Sequence, residues 1–189
     1  MSVFTNSASS SAEEIAAYVG AVLGLVAGRD PIGVLRQTPQ ALRDATAALG
    51  TRHVRTPEAP GKWSINEVLQ HLADSDLVFG WRVRLVLSQD RPVITGYDQD
   101  RWAGRLRYAD GDPVEALERF SVLRRWNLSL LERASGEDLR RVGLHTERGE
   151  ESLARIISLY AGHDLLHLRQ IERIRAAVGR AWPDRSEGM

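Results

Sequence analysis

The sequence predicts an all-α protein, a four-helix bundle with a long connection between its second and third main helices. Three observations carry that reading. Apolar residues recur at three- and four-residue steps in four long segments. Helix-start residues, Ser, Asp and Pro, stand before or in the first turns of the main elements. No stretch of any length alternates apolar and polar residues as a half-buried strand does.

Each element follows from local chemistry. Ser10 and Glu13 form an S-x-x-E capping box that opens helix one, with Ile15, Val19, Val22, Leu23 and Val26 as its buried face. "RDPIGVL" and "QTPQALRDATAALG" each place a capping residue before a proline, so the 30–50 region reads as a short helical piece and a longer one, closed by Gly50. "TRHVRTPEAPGK" has two prolines and no period, and reads as loop. Ser64 and Glu67 cap the second long helix, which carries Ile65, Val68, Leu69, Leu72, Phe79, Val83 and Val86.

The connection from Gln89 to Gly111 is polar and aromatic, and such length in a small domain points to a functional or disordered loop. Asp112 and Pro113 start the third helix. "SGEDLRRVGLHTERGEE" reads as a linker with a helical turn. The last helix runs from about Glu151 to Val178, with Gly179 as its stop.

Composition narrows the class. A chain of 189 residues, 43% hydrophobic and 26% charged, is one domain with a real core. The domain is expected over 11–180, with flexible ends at 1–10 and 181–189. Acidic and basic residues number 25 each, so no net field draws the protein to nucleic acid or an anionic membrane. Cysteine is absent, which excludes disulfides, thiolate metal sites and a protein-borne thiol nucleophile. The N-terminus lacks the basic start and apolar core of a signal peptide, and the apolar stretch from Ile15 to Val26 is too short to span a bilayer. A cytoplasmic protein is expected.

The chemistry concentrates in "YAGHDLLHLRQIERI", residues 160–174. The inward stripe of the last helix is Leu153, Ile156, Ile157, Tyr160, His163, His167, Ile171 and Ile174. His163 and His167 therefore stack one turn apart on a core-facing surface. His71 sits on or near the apolar face of the second long helix. Histidines in such places are either hydrogen-bonded packing residues or ligands. Burying neutral imidazoles leaves polar atoms unsatisfied unless something engages them. A divalent ion does so, and three His with an open position is the catalytic pattern.

Rival metal motifs fail on spacing. The zincin H-E-x-x-H needs Glu after the first His, where this chain has "HDLLH", and Asp164 points about a quarter-turn away from His163. Di-iron bundles need E-x-x-H, and Glu67 to His71 is one residue too long. HD-type phosphohydrolases need further His and Asp ligands that are not found.

"KWSINEVLQHLADSD" (62–76), "YDQDRWA" (97–103) and "HDLLHLRQI" (163–171) resemble, in order and spacing, the DinB-like superfamily, which includes the YfiT-type proteins. The resemblance covers most of the chain after helix one. It implies a four-helix bundle, often a homodimer, that binds a divalent metal through three histidines, which map by motif to His71, His163 and His167. The better-understood members look like S-transferases that join a low-molecular-weight thiol (bacillithiol, mycothiol or glutathione) to an electrophile. A related branch uses mycothiol in an isomerisation, and many others are known only as metal-dependent hydrolases. The resemblance gives no reason to expect DNA contact.

The function expected is a metal-dependent enzyme in which a His-held cation activates a thiol or water against a small electrophile. Hydrolysis and a non-catalytic metal- or ligand-binding bundle are the alternatives. Zinc or nickel is expected, with manganese or iron also compatible with imidazole ligands. Secondary candidates are Trp63 as a packing anchor, Tyr97, Asp98, Asp100, Arg101 and Trp102 as pocket wall, and Asp164 and Gln170 as supports for the ligands. Arg82 and Arg84 read as a solvated face before an anion contact. His53 and His145 lie among charges in loops and are assigned nothing.

Overall fold

A computed structural model describes residues 11–181; of the ends expected to be flexible, 1–10 and 181–189, all but Ala181, the last residue of the final helix, lie outside the described residues. Helix α1 (Ala12–Val26) opens on a capping box one position later than expected, Ser11 with Glu14. Gly28, at φ +73°, turns the chain, and Asp30 accepts from the amides of Ile32 and Gly33 to start α2 (Pro31–Thr46).

The two pieces expected over 30–50 are one helix, with Pro39 inside it. Proline has no N–H for the carbonyl four residues back, which here is that of Leu35. Nη1 of Arg124 donates to that carbonyl at 3.0 Å and so replaces the missing amide. The helix survives because a buried side chain from elsewhere in the chain completes it.

The segment expected as loop contains a short helix, α3 (Thr51–Arg55). Helix α4 (Ile65–Ser88) starts at the Ser64–Glu67 box as expected. The long connection is ordered by strand β1 (Val93–Ile94), helix α5 (Gln99–Arg105), capped by Asp98, and a 3-10 turn over Tyr108–Asp110. The buried Asn66 amide donates to the carbonyls of Tyr108, Ala109 and Gly111 and so ties that turn to α4. Helix α6 (Pro113–Leu131) follows its Asp112 cap, and α7 (Leu153–Ala181) continues past Gly179.

Between α6 and α7 the linker holds the expected helical turn, Asp138–Arg140, and an antiparallel pair, β2 (Val142–His145) and β3 (Gly149–Ser152). β1 joins β2 in parallel, giving a three-stranded sheet in the order β1-β2-β3. Strands of two to four residues are below the length at which alternation shows in sequence.

The bundle consists of α2, α4, α6 and α7, and α1 packs on the outside of α7. The fourth bundle member is thus α2 rather than helix one. No single helix among the described residues is long and apolar enough to cross a membrane.

The core has two apolar clusters with a polar layer between them. On α4, α6 and α7, Phe79, Leu128 and Tyr160 belong to one cluster, while Leu72, Phe120 and Ile171 belong to the other. Between them lie Ser75 and Asp76, then Arg124 and Asn127, then Asp164 and His167, all buried. Each buried Leu, Ile or Phe contributes about 1.5–3 kcal/mol, so apolar packing on both sides stabilises a polar layer that would not persist alone.

Candidate metal centre

His71 is delivered by α4, and His163 and His167 by successive turns of α7. Nε2 of His163 lies 3.1 Å from Nε2 of His71 and 3.1 Å from Nε2 of His167. The three ligand atoms all fall within 4.8 Å of one another. His71 is 1% exposed and His167 7%. Helix periodicity alone brought the α7 pair together; packing of α4 on α7 added the third ring.

Burial dominates the electrostatics. It pushes His71 and His163 well below the usual histidine range and His167 down to about 4, so all three rings are neutral at physiological pH. A neutral ring nitrogen is either a donor or an acceptor. Nδ1 of His167 faces the Gln170 carbonyl oxygen at 2.8 Å and donates to it, which leaves the lone pair of that ring on Nε2. His163 cannot make two full hydrogen bonds from one nitrogen: protonated it has one hydrogen to give, and unprotonated it meets the His167 lone pair.

Three lone pairs aimed at one cation resolve this. Nitrogens bound to zinc at about 2.0–2.1 Å stand about 3.3 Å apart in a tetrahedron, close to the spacing found. Nδ1 of His71 and of His163 have no protein partner, so no hydrogen bond of the protein fixes which nitrogen of these two rings carries the proton. The donor set fits a divalent ion.

The cluster separates two spaces. On the His163 side is a chamber of about 80 Å³, lined in part by Ser75, Arg82, Tyr97, His145 and Tyr160. On the His167 side is a cleft of about 890 Å³, walled in part by Lys62, Trp63, Asp100, Gln170 and Arg173. Gln99, the first residue of α5, lines both.

The sequence profile of the DinB superfamily matches residues 35–171, most of the chain and every residue of the histidine cluster. The chain belongs to the DinB superfamily. It is 33% identical over 150 residues to a protein of Bacillus licheniformis named "Putative metal-dependent hydrolase", covering 78% of this chain and 85% of that one. A protein of the same name from Oceanobacillus iheyensis is 31% identical over 141 residues, covering 74% and 81%. Among solved structures, YfiT from Bacillus subtilis superposes with a TM-score of 0.72 at 26% identity, covering 80% of this chain and 85% of that one. It is described as "a probable metal-dependent hydrolase with an unusual four-helix bundle topology".

Within this DinB-superfamily fold the secondary candidates divide. Trp63 packs beside His71, ring centroids 5.1 Å apart, and also walls the larger cleft. Tyr97 lines the chamber and reaches His71 through Ser75, whose Oγ is 2.8 Å from the Tyr97 hydroxyl and 3.3 Å from His71 Nε2. Asp100 lines the cleft, whereas Asp98 caps α5, Trp102 packs at a tilt against Tyr97 and Arg101 is exposed. Gln170 touches a ligand candidate; Asp164 does not, because the Arg124 guanidinium engages both of its oxygens.

Three residues escaped the sequence reading. Arg82 is buried against the chamber, not solvated, while Arg84 bonds Asn127 and lies over Trp126. His145 is on β2, not in a loop, and is 3% exposed. Arg124 is 1% exposed and joins α2, α4 and α7 through Leu35, Asp76 and Asp164. A signal existed for both arginines: Arg82 falls between Phe79 and Val86, and Arg124 midway between Phe120 and Leu128, on otherwise apolar stripes. His53 lies in α3, away from the cluster.

Proposed function

We propose that His71, His163 and His167 ligate one divalent cation and that the chain is a metal-dependent enzyme acting on a small electrophile. The observation carrying this is the meeting of three Nε2 atoms from two helices, those of the buried His71 and His167 and the half-buried His163, beside a cleft large enough for substrates. Bound there, a divalent cation supplies Lewis-acid activation of a thiol or water near neutral pH. Zinc or nickel suits three imidazoles, with manganese or iron also compatible. The chain's own residues hold the rings: Gln170 sets the tautomer of His167, and Trp63 packs beside His71.

Thiol S-transfer is the first reading. A sulfur–carbon bond forms as the leaving group departs with its electron pair, and the thiol proton passes to solvent. The cleft of about 890 Å³ supports it, since a low-molecular-weight thiol needs room beside the electrophile. With no cysteine in the sequence, that thiol must diffuse in. Hydrolysis is the second reading, favoured by the names of the relatives.

Elemental analysis followed by assays with bacillithiol, mycothiol and glutathione against a chlorodinitrobenzene, and without thiol against a nitrophenyl ester, tests both. One equivalent of metal and thiol-dependent turnover are expected. Ester turnover alone selects hydrolysis, and bound metal without any turnover leaves a binding bundle. His167→Ala should lose most of the metal and keep its helical circular dichroism; full metal retention removes His167 from the ligand set.

The same reading places a homodimer in the cytoplasm, with small-molecule substrates and neither nucleic acid nor membrane as partner. Balanced charge and a chain without cysteine support it. Leu77 and Trp81 on α4 and Val122 and Trp126 on α6 are each more than half exposed and offer a face for a second copy. Sedimentation velocity should find a dimer that Trp81→Glu splits, and a wild-type monomer would refute it.

A further inference from the structure

We propose that the 80 Å³ chamber beside His163 is an oxyanion pocket that takes the carboxylate head of the substrate, held by Arg82 and His145. The proposal rests on the metal-centre reading only for what lies next to that head. Two cations, Arg82 and Arg148, line the chamber, and no carboxylate does among the described residues. Arg148 is neutralised by Glu151, with two contacts of 2.8 Å.

Arg82 has no such partner. Its Nη1 donates to the Tyr160 hydroxyl at 3.0 Å and its Nη2 to the Thr95 carbonyl at 2.7 Å, both neutral acceptors, while its Nε has none. The residue is 7% exposed. A buried guanidinium without a counter-ion carries an uncompensated desolvation cost, which a bound anion offsets.

His145 supplies a second donor. The amide of Glu147 donates to its Nδ1 at 3.1 Å, so the ring proton sits on Nε2, which is buried without a partner. Burial, with Arg148 and Arg82 nearby, lowers this ring to about 4 and keeps it neutral. Tyr160 accepts from Arg82 and so has its own hydroxyl hydrogen to give. The three donors belong to α4, β2 and α7, and the small sheet is what carries His145 to the chamber wall.

Size and charge select the ligand class. The chamber, about 80 Å³ against about 890 Å³ for the cleft, has room for a small head group and not for the body of a larger molecule. One uncompensated positive charge matches a monoanion. A small carboxylate head fits both limits. Gln99 lines the chamber and the cleft alike, so a molecule with its head beside Arg82 sets its next atoms against the histidines and its body in the larger space.

The test titrates zinc-loaded full-length protein with acetate, acetamide or inorganic phosphate at neutral pH. It reads thermal unfolding and the His145 Nε2–H proton resonance, with metal content measured in every sample. Acetate should raise the melting temperature saturably and shift that resonance, while acetamide and phosphate do neither. Arg82→Gln and His145→Asn, the latter keeping an acceptor for the Glu147 amide, should each weaken acetate at least tenfold at unchanged metal content. Equal effects of acetate and acetamide, tighter binding of phosphate, or an unmoved His145 resonance in the wild type would overturn the proposal, even if Arg82→Gln fails to fold. Metal-stripped protein separates the two readings. Acetate binding by stripped protein that takes up no zinc when zinc is returned supports the pocket and sinks the metal centre; full zinc uptake without an acetate response does the reverse.

Discussion

Arg124 donates from Nη1 to the carbonyl of Leu35, the acceptor that Pro39 leaves without an amide. The same guanidinium holds Asp76 and Asp164, so one side chain repairs α2 and ties it to α4 and α7. Arg124→Met should lower stability by about 3–5 kcal/mol, because two buried carboxylates lose their partner. Pro39→Ala should recover part of that loss by restoring an N–H for Leu35. Urea unfolding of the single and double variants checks the coupling; strictly additive effects would show that the two residues act independently.

Gln170 fixes which nitrogen of His167 carries the proton. Support of this kind is commonly worth 10–100-fold in metal affinity. Gln170→Ala should weaken metal binding by about that factor while leaving the fold and the stoichiometry at saturation unchanged, as read by chelator competition. An unaltered affinity would mean that packing alone orients the ring.

Asp76 makes stability depend on pH. Burial pushes its carboxyl up from 3.8 to about 6, aided by Asp164 and opposed by Arg124. A group whose pKa rises on folding stabilises the fold in its protonated form. That contribution is complete below 3.8 and is lost as pH rises through about 6. With chelator present, the wild type should therefore lose ground to Asp76→Asn between those values, by about 3 kcal/mol at most at 1.36 kcal/mol per unit. Stability curves that run parallel in that window would show that Asp76 keeps its ordinary carboxyl behaviour.

At Gly162 α1 approaches α7 closely, since a Cβ there would run into the backbone carbonyl of Val22. Because α1 also supplies Val19 and Val22 to the wall of the small chamber, the contact shapes the site. Gly162→Ala should cost about 1–3 kcal/mol and make α1 the first segment cut by protease. Wild-type stability and cleavage pattern would show that α1 shifts without penalty.

Much of this was legible in local patterns. The starts of α4 and α6 and the whole inward stripe of α7 stand in the sequence, because caps and period depend on neighbours a few residues apart. The continuity of α2 through Pro39 was not legible, since its missing donor comes from Arg124, on another helix far along the chain. The sheet was hidden by strands too short to show alternation, and with it the placement of His145.

By itself, then, the sequence determined the four long helices α1, α4, α6 and α7, the pairing of His163 with His167 on one face, and the absence of any protein thiol. Those properties reside in composition and in spacing within a single helix. Only the tertiary structure decided that His71 meets that pair, that α2 rather than α1 completes the bundle, and that Arg82 and Arg124 are buried. Contacts between distant segments are set by how whole faces pack against one another, which no local pattern specifies.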